Sequence, residues 1–161
     1  MAKKKQPPFK RRWHKSVPGV ATDKVYLSAD SLRQLLTNQL AGKFDKSIMI
    51  YLADSEFYCA PLADIEEIVA NSRLDKNTWI AERFDCDDFA HVLKAHFCES
   101  AYANGERRTA HAFGVVWGNL PDAHAINWVV TDDLKLRFIE PQSDQIFMPR
   151  PTDKDIYFML S

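Results

Sequence analysis

The chain has 161 residues, of which 46% are hydrophobic and 27% charged, a composition that excludes a fibrous or wholly disordered protein. This length predicts one domain with its own hydrophobic core. No apolar run reaches the roughly 18–20 residues that cross a bilayer, and no apolar stretch follows the basic N-terminus as in a secretory signal. We therefore expect a protein without a membrane span that is made and retained in a cytoplasm.

Residues 1–22 are predicted to form a basic, flexible arm. Seven of the 21 basic residues precede the first acid, Asp23, and three prolines lie among them. Such an arm predicts weak, salt-sensitive contact with nucleic acid or with a partner protein, and a solvated tail that aids solubility is the alternative. Residues 23–161 are then the folded domain.

Two helices are predicted in the first half of this domain. The first is capped by Ser28 or Asp30, carries leucines at helical spacing and ends before Gly42. The second begins after Pro61. Between them, residues 47–52 fit either a strand or a buried helical turn, which hydrophobic periodicity does not separate.

A third helix is predicted from Asp85 to about Ala103, because apolar residues recur at every fourth position: Phe89, Leu93, Phe97 and Ala101. This helix places Cys86 in its first turn. An odd number of cysteines without framework spacing predicts free thiols, and we expect the other two, Cys59 and Cys98, to pack as small apolar side chains.

The last third of the chain has the composition of strands. Residues 112–117, 125–130, 134–139 and 156–160 are rich in β-branched and aromatic side chains, and residues 131–133 suit a hairpin turn. Helices followed by strands predict an α+β fold, with the helices packed on an antiparallel sheet.

Three residues have the types and the order of a thiol-dependent catalytic site. Cys86 lies at a helix start, where the helix dipole favours a thiolate. A hairpin between the two following strands brings its outer ends, His124 and Glu140, side by side, as a base and the group that orients it require. His111, which opens a strand, is a weaker candidate for the base.

The acids beside Cys86 oppose thiolate formation unless their charge is paired. A hard cation such as calcium, held by Asp87 and Asp88, would pair it. The alternative is that these carboxylates cap the helix and face solvent, as first-turn acids commonly do.

Residues 85–90 (DCDDFA) resemble the nucleophile motif of bacterial transglutaminase-like cysteine proteinases. Residues 124–128 (HAINW) and 138–142 (FIEPQ) resemble the His and acid strands of the same papain/transglutaminase-like superfamily, in particular the papain-like C-terminal domain of a mushroom agglutinin and related stand-alone proteins of phages and bacteria. The resemblance covers roughly Trp79 to Phe147. No sugar-binding trefoil of the agglutinin kind is found in the chain.

The resemblance implies a papain/transglutaminase-like fold and a cysteine peptidase or amidase with a Cys86–His124–Glu140 triad, calcium dependence and a protein or peptide substrate. It also suggests a phage-encoded protein that acts in a host cytoplasm or travels in the virion. The glutamine that papain uses in its oxyanion hole has no counterpart here. The indole N–H of Trp79, seven residues before Cys86, can replace it, and a core position for this tryptophan is the alternative.

Two other functions remain open on the sequence. Attack by an amine in place of water would make the protein a transamidase, and a deamidase needs the same residues. A binding or structural module that keeps the fold without turnover is an interpretation of a different class.

Overall fold

The computed structural model describes residues 24–105 and 107–161. The predicted basic arm lies outside the described residues. The elements, in chain order, are β1 (Val25–Ser28), α1 (Ala29–Gln39), β2 (Phe44–Tyr51), β3 (Glu56–Cys59), α2 (Leu62–Ser72), a short 3₁₀ turn (Leu74–Lys76), α3 (Cys86–Ala103), β4 (Phe113–Asn119), β5 (Ala123–Val130), β6 (Leu136–Glu140), β7 (Gln145–Phe147) and β8 (Lys154–Leu160).

Six of these strands form the main sheet, in the order β2-β8-β4-β5-β6-β7, while β1 and β3 pair separately as a two-stranded ribbon. Neighbouring strands run antiparallel except at one edge, where β2 lies parallel to β8. The prediction of an antiparallel sheet is therefore wrong for this edge, because β2 precedes α3 in the chain and reaches β8 only through a long connection. The α+β class itself is confirmed.

The helices cover both faces of the sheet, and each face has its own core. On one face α1 packs Leu32 and Leu36 against Trp128 of β5. On the other face α3 packs Phe89 and Leu93, together with α2, against alternate residues of the same strands. Because successive side chains of a strand point to opposite faces, β4 and β5 contribute to both cores and are almost completely buried.

The ends of the first helix follow its sequence signals. Ser28 is the N-cap, and its hydroxyl accepts a hydrogen bond from the Ser31 N–H at 3.1 Å. Gly42 has a positive φ of 79°, the backbone conformation that glycine adopts without strain, in the turn that leads to β2. The ambiguous residues 47–52 belong mainly to β2, so the strand is the correct alternative.

No helix in the described part of the chain is long and apolar enough to cross a membrane.

Candidate functional site

The start of α3 is fixed by its own acids. The Asp88 carboxylate accepts a hydrogen bond from the Asp85 N–H at 3.2 Å, and the Asp85 carboxylate accepts one from the Glu82 N–H at 3.2 Å. The first bond is part of the cap of the helix, and the second ties the preceding turn to it. They hold Cys86, the first helical residue, in a half-buried position with a free thiol.

A tight turn before the helix presents Trp79. Ile80 and Phe84 exchange two backbone hydrogen bonds of 2.9 Å, and the Phe84 ring packs on Phe89 of α3 with a centroid distance of 4.5 Å. Trp79 comes directly before this braced turn and is 51% exposed. Its indole is therefore a surface group and not a filler of the core, which was the alternative for this residue.

His124 and Glu140 meet where the hairpin of β5 and β6 predicts. Nε2 of His124 lies 2.7 Å from Oε2 of Glu140, and each side chain is 22% exposed. The second oxygen of Glu140 accepts a hydrogen bond from the Gln142 N–H at 3.2 Å, which fixes the carboxylate. The pair leaves Nδ1 as the ring atom of His124 that can face a ligand.

Two contacts place the first turns of α3 at the end of the sheet that carries His124. The ring of His91 lies 5.6 Å from that of Trp117 in β4, and Trp117 pairs with Ala125, the neighbour of His124. Among the described residues, no hydrogen bond joins the Cys86 thiol to His124. The structure thus forms the His124–Glu140 pair and brings the Cys86 turn to the same end of the sheet, and the catalytic roles of these residues stay predictions.

The acids beside the thiol are arranged differently from the expected pair. The potential ligand atoms that lie within 4.8 Å of one another belong to Asp85, Cys86 and Asp87, while the Asp88 carboxylate is used in the helix cap. The pKa of Asp87 is raised, first by a hydrogen bond with the Asp85 side chain, then by burial and by repulsion from the Asp85 and Asp88 carboxylates. The Asp88 carboxylate therefore caps the helix, and a calcium ion bound by the acids beside Cys86 stays a prediction.

His111, the competing candidate for the base, lies elsewhere. It is 4% exposed, contacts the guanidinium of Arg107 and packs edge-on against Phe97, in the second half of α3. Burial, together with the positive charges of Arg107 and Lys94, lowers the pKa of His111 to about 3, so the ring is neutral. This histidine belongs to the core and not to the Cys86 end of the helix.

The two other thiols differ from each other. Cys59 is buried, and burial, with a smaller contribution from Asp132, raises the pKa of its thiol to about 12. Cys98 is exposed on α3, 3.9 Å from the Lys94 ammonium, so the prediction that it packs as a small apolar residue is wrong.

Comparison with known proteins gives one family and several structural neighbours. The model of the family described as "Agglutinin C-terminal" matches residues 57–146. A structure described as "PSL1a-E64 complex" is 26% identical with a TM-score of 0.75, and covers 84% of this chain and 51% of its own. A Polyporus squamosus lectin, described as bound to the human-type influenza-binding epitope Neu5Aca2-6Galb1-4GlcNAc, is 26% identical with a TM-score of 0.67, and covers 84% of this chain and 49% of its own. The chain therefore spans about half the length of these structures. No curated protein matches it.

These findings contradict the function expected from the resemblance. The matching family is described by the word agglutinin and one neighbour as a lectin, both terms for binding proteins, and neither description names a peptidase. The assignment to a papain/transglutaminase-like peptidase superfamily, the cysteine hydrolase activity and the enzyme class are therefore wrong on these comparisons. The expected protein or peptide substrate is also unsupported. The order of a Cys, a His and a Glu in the chain does not specify a reaction. The same three side chains can form a binding site.

Proposed function

Because the chain belongs to the Agglutinin C-terminal family, we propose that it is a ligand-binding module and that its site is the surface formed by Cys86, His124 and Glu140, with Trp79 at the rim. The observation that carries the proposal is the 2.7 Å hydrogen bond between His124 and Glu140, two ionisable side chains held together in a half-buried position at the end of the sheet.

The pair is arranged before any ligand arrives. Glu140 is held by both of its oxygens, one on His124 and one on the Gln142 N–H, so the imidazole ring has a fixed orientation. Groups that are already oriented lose little conformational entropy on binding, and most small-ligand sites place a few such polar groups beside apolar side chains. A hairpin needs no such pair to close, because apolar cross-strand contacts suffice for that.

The ligand class that we propose is a small polar molecule that contacts the Cys86 thiol and the His124 ring. The thiol is free and half-buried at a helix start, where the partial positive charge attracts polar or anionic groups. The neighbour described as a complex with E64 supports a small-molecule ligand for a protein of this fold, and E64 is therefore the first probe to use on this chain.

A saccharide is the second candidate, because Trp79 is exposed directly before the braced turn that leads to the acids of the helix start. An indole face packs against the C–H groups of a sugar ring, while carboxylates accept hydrogen bonds from its hydroxyls. The lectin neighbour described with a bound trisaccharide supports this class.

The first experiment incubates the full chain with E64 and measures binding by calorimetry and the intact mass under denaturing conditions. The mass distinguishes a bond to sulfur from reversible binding. We expect Cys86→Ser to abolish the interaction and Cys98→Ser, on the same helix but exposed, to leave it unchanged. Equal loss in the two variants, or equal binding in both, would contradict a site at Cys86.

The second experiment titrates the trisaccharide Neu5Aca2-6Galb1-4GlcNAc into the chain, into Trp79→Ala and into Cys86→Ser, each with calcium and with a chelator. Binding that is lost in Trp79→Ala but kept in Cys86→Ser would favour the saccharide over the thiol ligand. A requirement for calcium would support a cation at Asp85 and Asp87. The absence of binding to both probes at millimolar concentration would refute a small-ligand site of either class.

A further inference from the structure

A single buried amide connects the helix that carries Cys86 to the strand that carries His124. Asn127 lies on β5, three residues after His124, and is 0% exposed. Its Nδ2 donates to the carbonyl oxygen of Ala90 in α3 at 2.9 Å and to that of Gly114 in β4 at 3.1 Å. One side chain therefore links three elements, at a point three residues along β5 from His124.

The orientation of this amide follows from its partners. Both Ala90 and Gly114 present carbonyl oxygens, which only accept hydrogen bonds, so the NH₂ group of Asn127 must face them. The side-chain oxygen then points away and has no hydrogen-bond partner among the described residues. A buried acceptor without a protein partner costs free energy, which offsets part of what the two donated hydrogen bonds contribute.

The neighbours of Asn127 show that packing alone does not require it. Ile126, Trp128 and Val129 are apolar and buried, and they already attach β5 to the two cores. Apolar contacts are not directional, and they tolerate a shift of a helix along a sheet more easily than a hydrogen bond does. Ala90 is small and 0% exposed, so the helix backbone approaches the strand closely at this point.

We propose that Asn127 is a positioning residue, which sets the place of the first turns of α3 relative to β5 and so the relation of Cys86 to His124. The proposal rests on the proposed function for its ligand readout. It assigns no contact between Asn127 and the ligand, because the amide is completely buried and its two donors are both used inside the protein.

A matched pair of variants isolates the hydrogen bond. Thr and Val are β-branched, have nearly the same shape and suit a strand, but only Thr keeps a donor. We expect Asn127→Thr to bind the ligand within about threefold of the wild type and Asn127→Val to bind about tenfold more weakly, while both variants are less stable in urea than the wild type, since each takes a side-chain donor from the carbonyl oxygens of Ala90 and Gly114. Affinity that falls in parallel with stability would reduce Asn127 to a structural residue and overturn the proposal.

A second readout needs no ligand. Limiting iodoacetamide at one pH modifies Cys86 and Cys98, and the exposed Cys98 near the other end of α3 serves as the internal reference. Without the amide bridge the start of α3 is less firmly held, so we expect the Cys86 to Cys98 ratio to rise about threefold in Asn127→Val and to stay at the wild-type value in Asn127→Thr. As a control, Val129→Ala, on the same face of β5, should lower stability without changing the ratio. Equal ratios in the Thr and Val variants would overturn the positioning role whatever the ligand titrations give. A raised ratio in Asn127→Val alone, with no binding of either probe to the wild type, would support the positioning role and contradict the proposed function.

Discussion

Replacing His111 by glutamine should flatten the dependence of stability on pH. His111 is buried beside the rings of Tyr58 and Phe97, which keep water away from it. Arg107, which contacts the ring, and Lys94 on α3 add positive charge that disfavours a second cation. Its pKa in the folded protein is lowered to about 3, whereas in the unfolded chain it returns to about 6.5.

The sign of the effect follows from proton uptake. Below pH 6.5 the unfolded chain binds a proton at His111 that the folded protein does not bind, so stability falls as the pH falls. At pH 5 the difference between the pH and the unfolded pKa is about 1.5 units, which corresponds to about 2 kcal/mol lost relative to pH 7. Glutamine does not titrate, and its carbonyl oxygen can still accept a hydrogen bond from Arg107.

Urea unfolding of the wild type and of His111→Gln at pH 7, 6 and 5 measures this difference. We expect the free energy of unfolding to fall by about 2 kcal/mol more in the wild type than in the variant between pH 7 and pH 5. Val129→Ala is the control, because it lowers stability without removing a titratable group, so its stability should follow the same pH dependence as that of the wild type. Parallel curves for the wild type and His111→Gln would refute the argument that this histidine is buried in its neutral form.

Two further substitutions test the sheet and its hairpin. Gly114→Ala should cost about 3 kcal/mol or more in urea unfolding, because the new Cβ would lie 1.8 Å from the backbone oxygen of Leu160, whereas Gly118→Ala, with no atom closer than 3.0 Å, should cost clearly less. An equal loss of unfolding free energy in the two variants would show that β4 and β8 can move apart at Gly114 to admit the methyl group. Asp133→Asn should cost about 1 kcal/mol at pH 7, since hydrogen bonds and charge from Arg137 hold the pKa of the partly exposed Asp133 well below its usual range. The lowered pKa means that this stabilisation declines progressively as the pH falls below about 4, so a difference between wild type and variant that is as large at pH 2.5 as at pH 7 would contradict it.

The elements that the sequence predicted well are those with a local pattern. The fourfold spacing of apolar residues predicted α3 to within one residue, and Ser28 predicted the start of α1. The missed strands β1, β3 and β7 have only three or four residues, too few for an alternation to appear. Their pairing, and the parallel contact of β2 with β8, depends on residues far apart in the chain, which no local pattern specifies.

Part of the site could be predicted for the same reason. The hairpin of β5 and β6 is a local structure, so the meeting of His124 and Glu140 followed from two strands and a short turn. The exposure of Trp79 did not, because a tryptophan suits a core as well as a surface, and only the turn between Ile80 and Phe84 decides between them.

The order of residue types specified where polar groups meet but not what they do there. A thiol at a helix start and an imidazole bound to a carboxylate are also the components of a site that holds a small polar ligand. What distinguishes binding from reaction is the distance between Cys86 and His124, which the chain order leaves free and which α3 sets by its position on β5. We propose that this position depends on Asn127, whose buried amide joins α3 to β5 and β4 by directional hydrogen bonds, and its substitution therefore tests how this fold holds its site together.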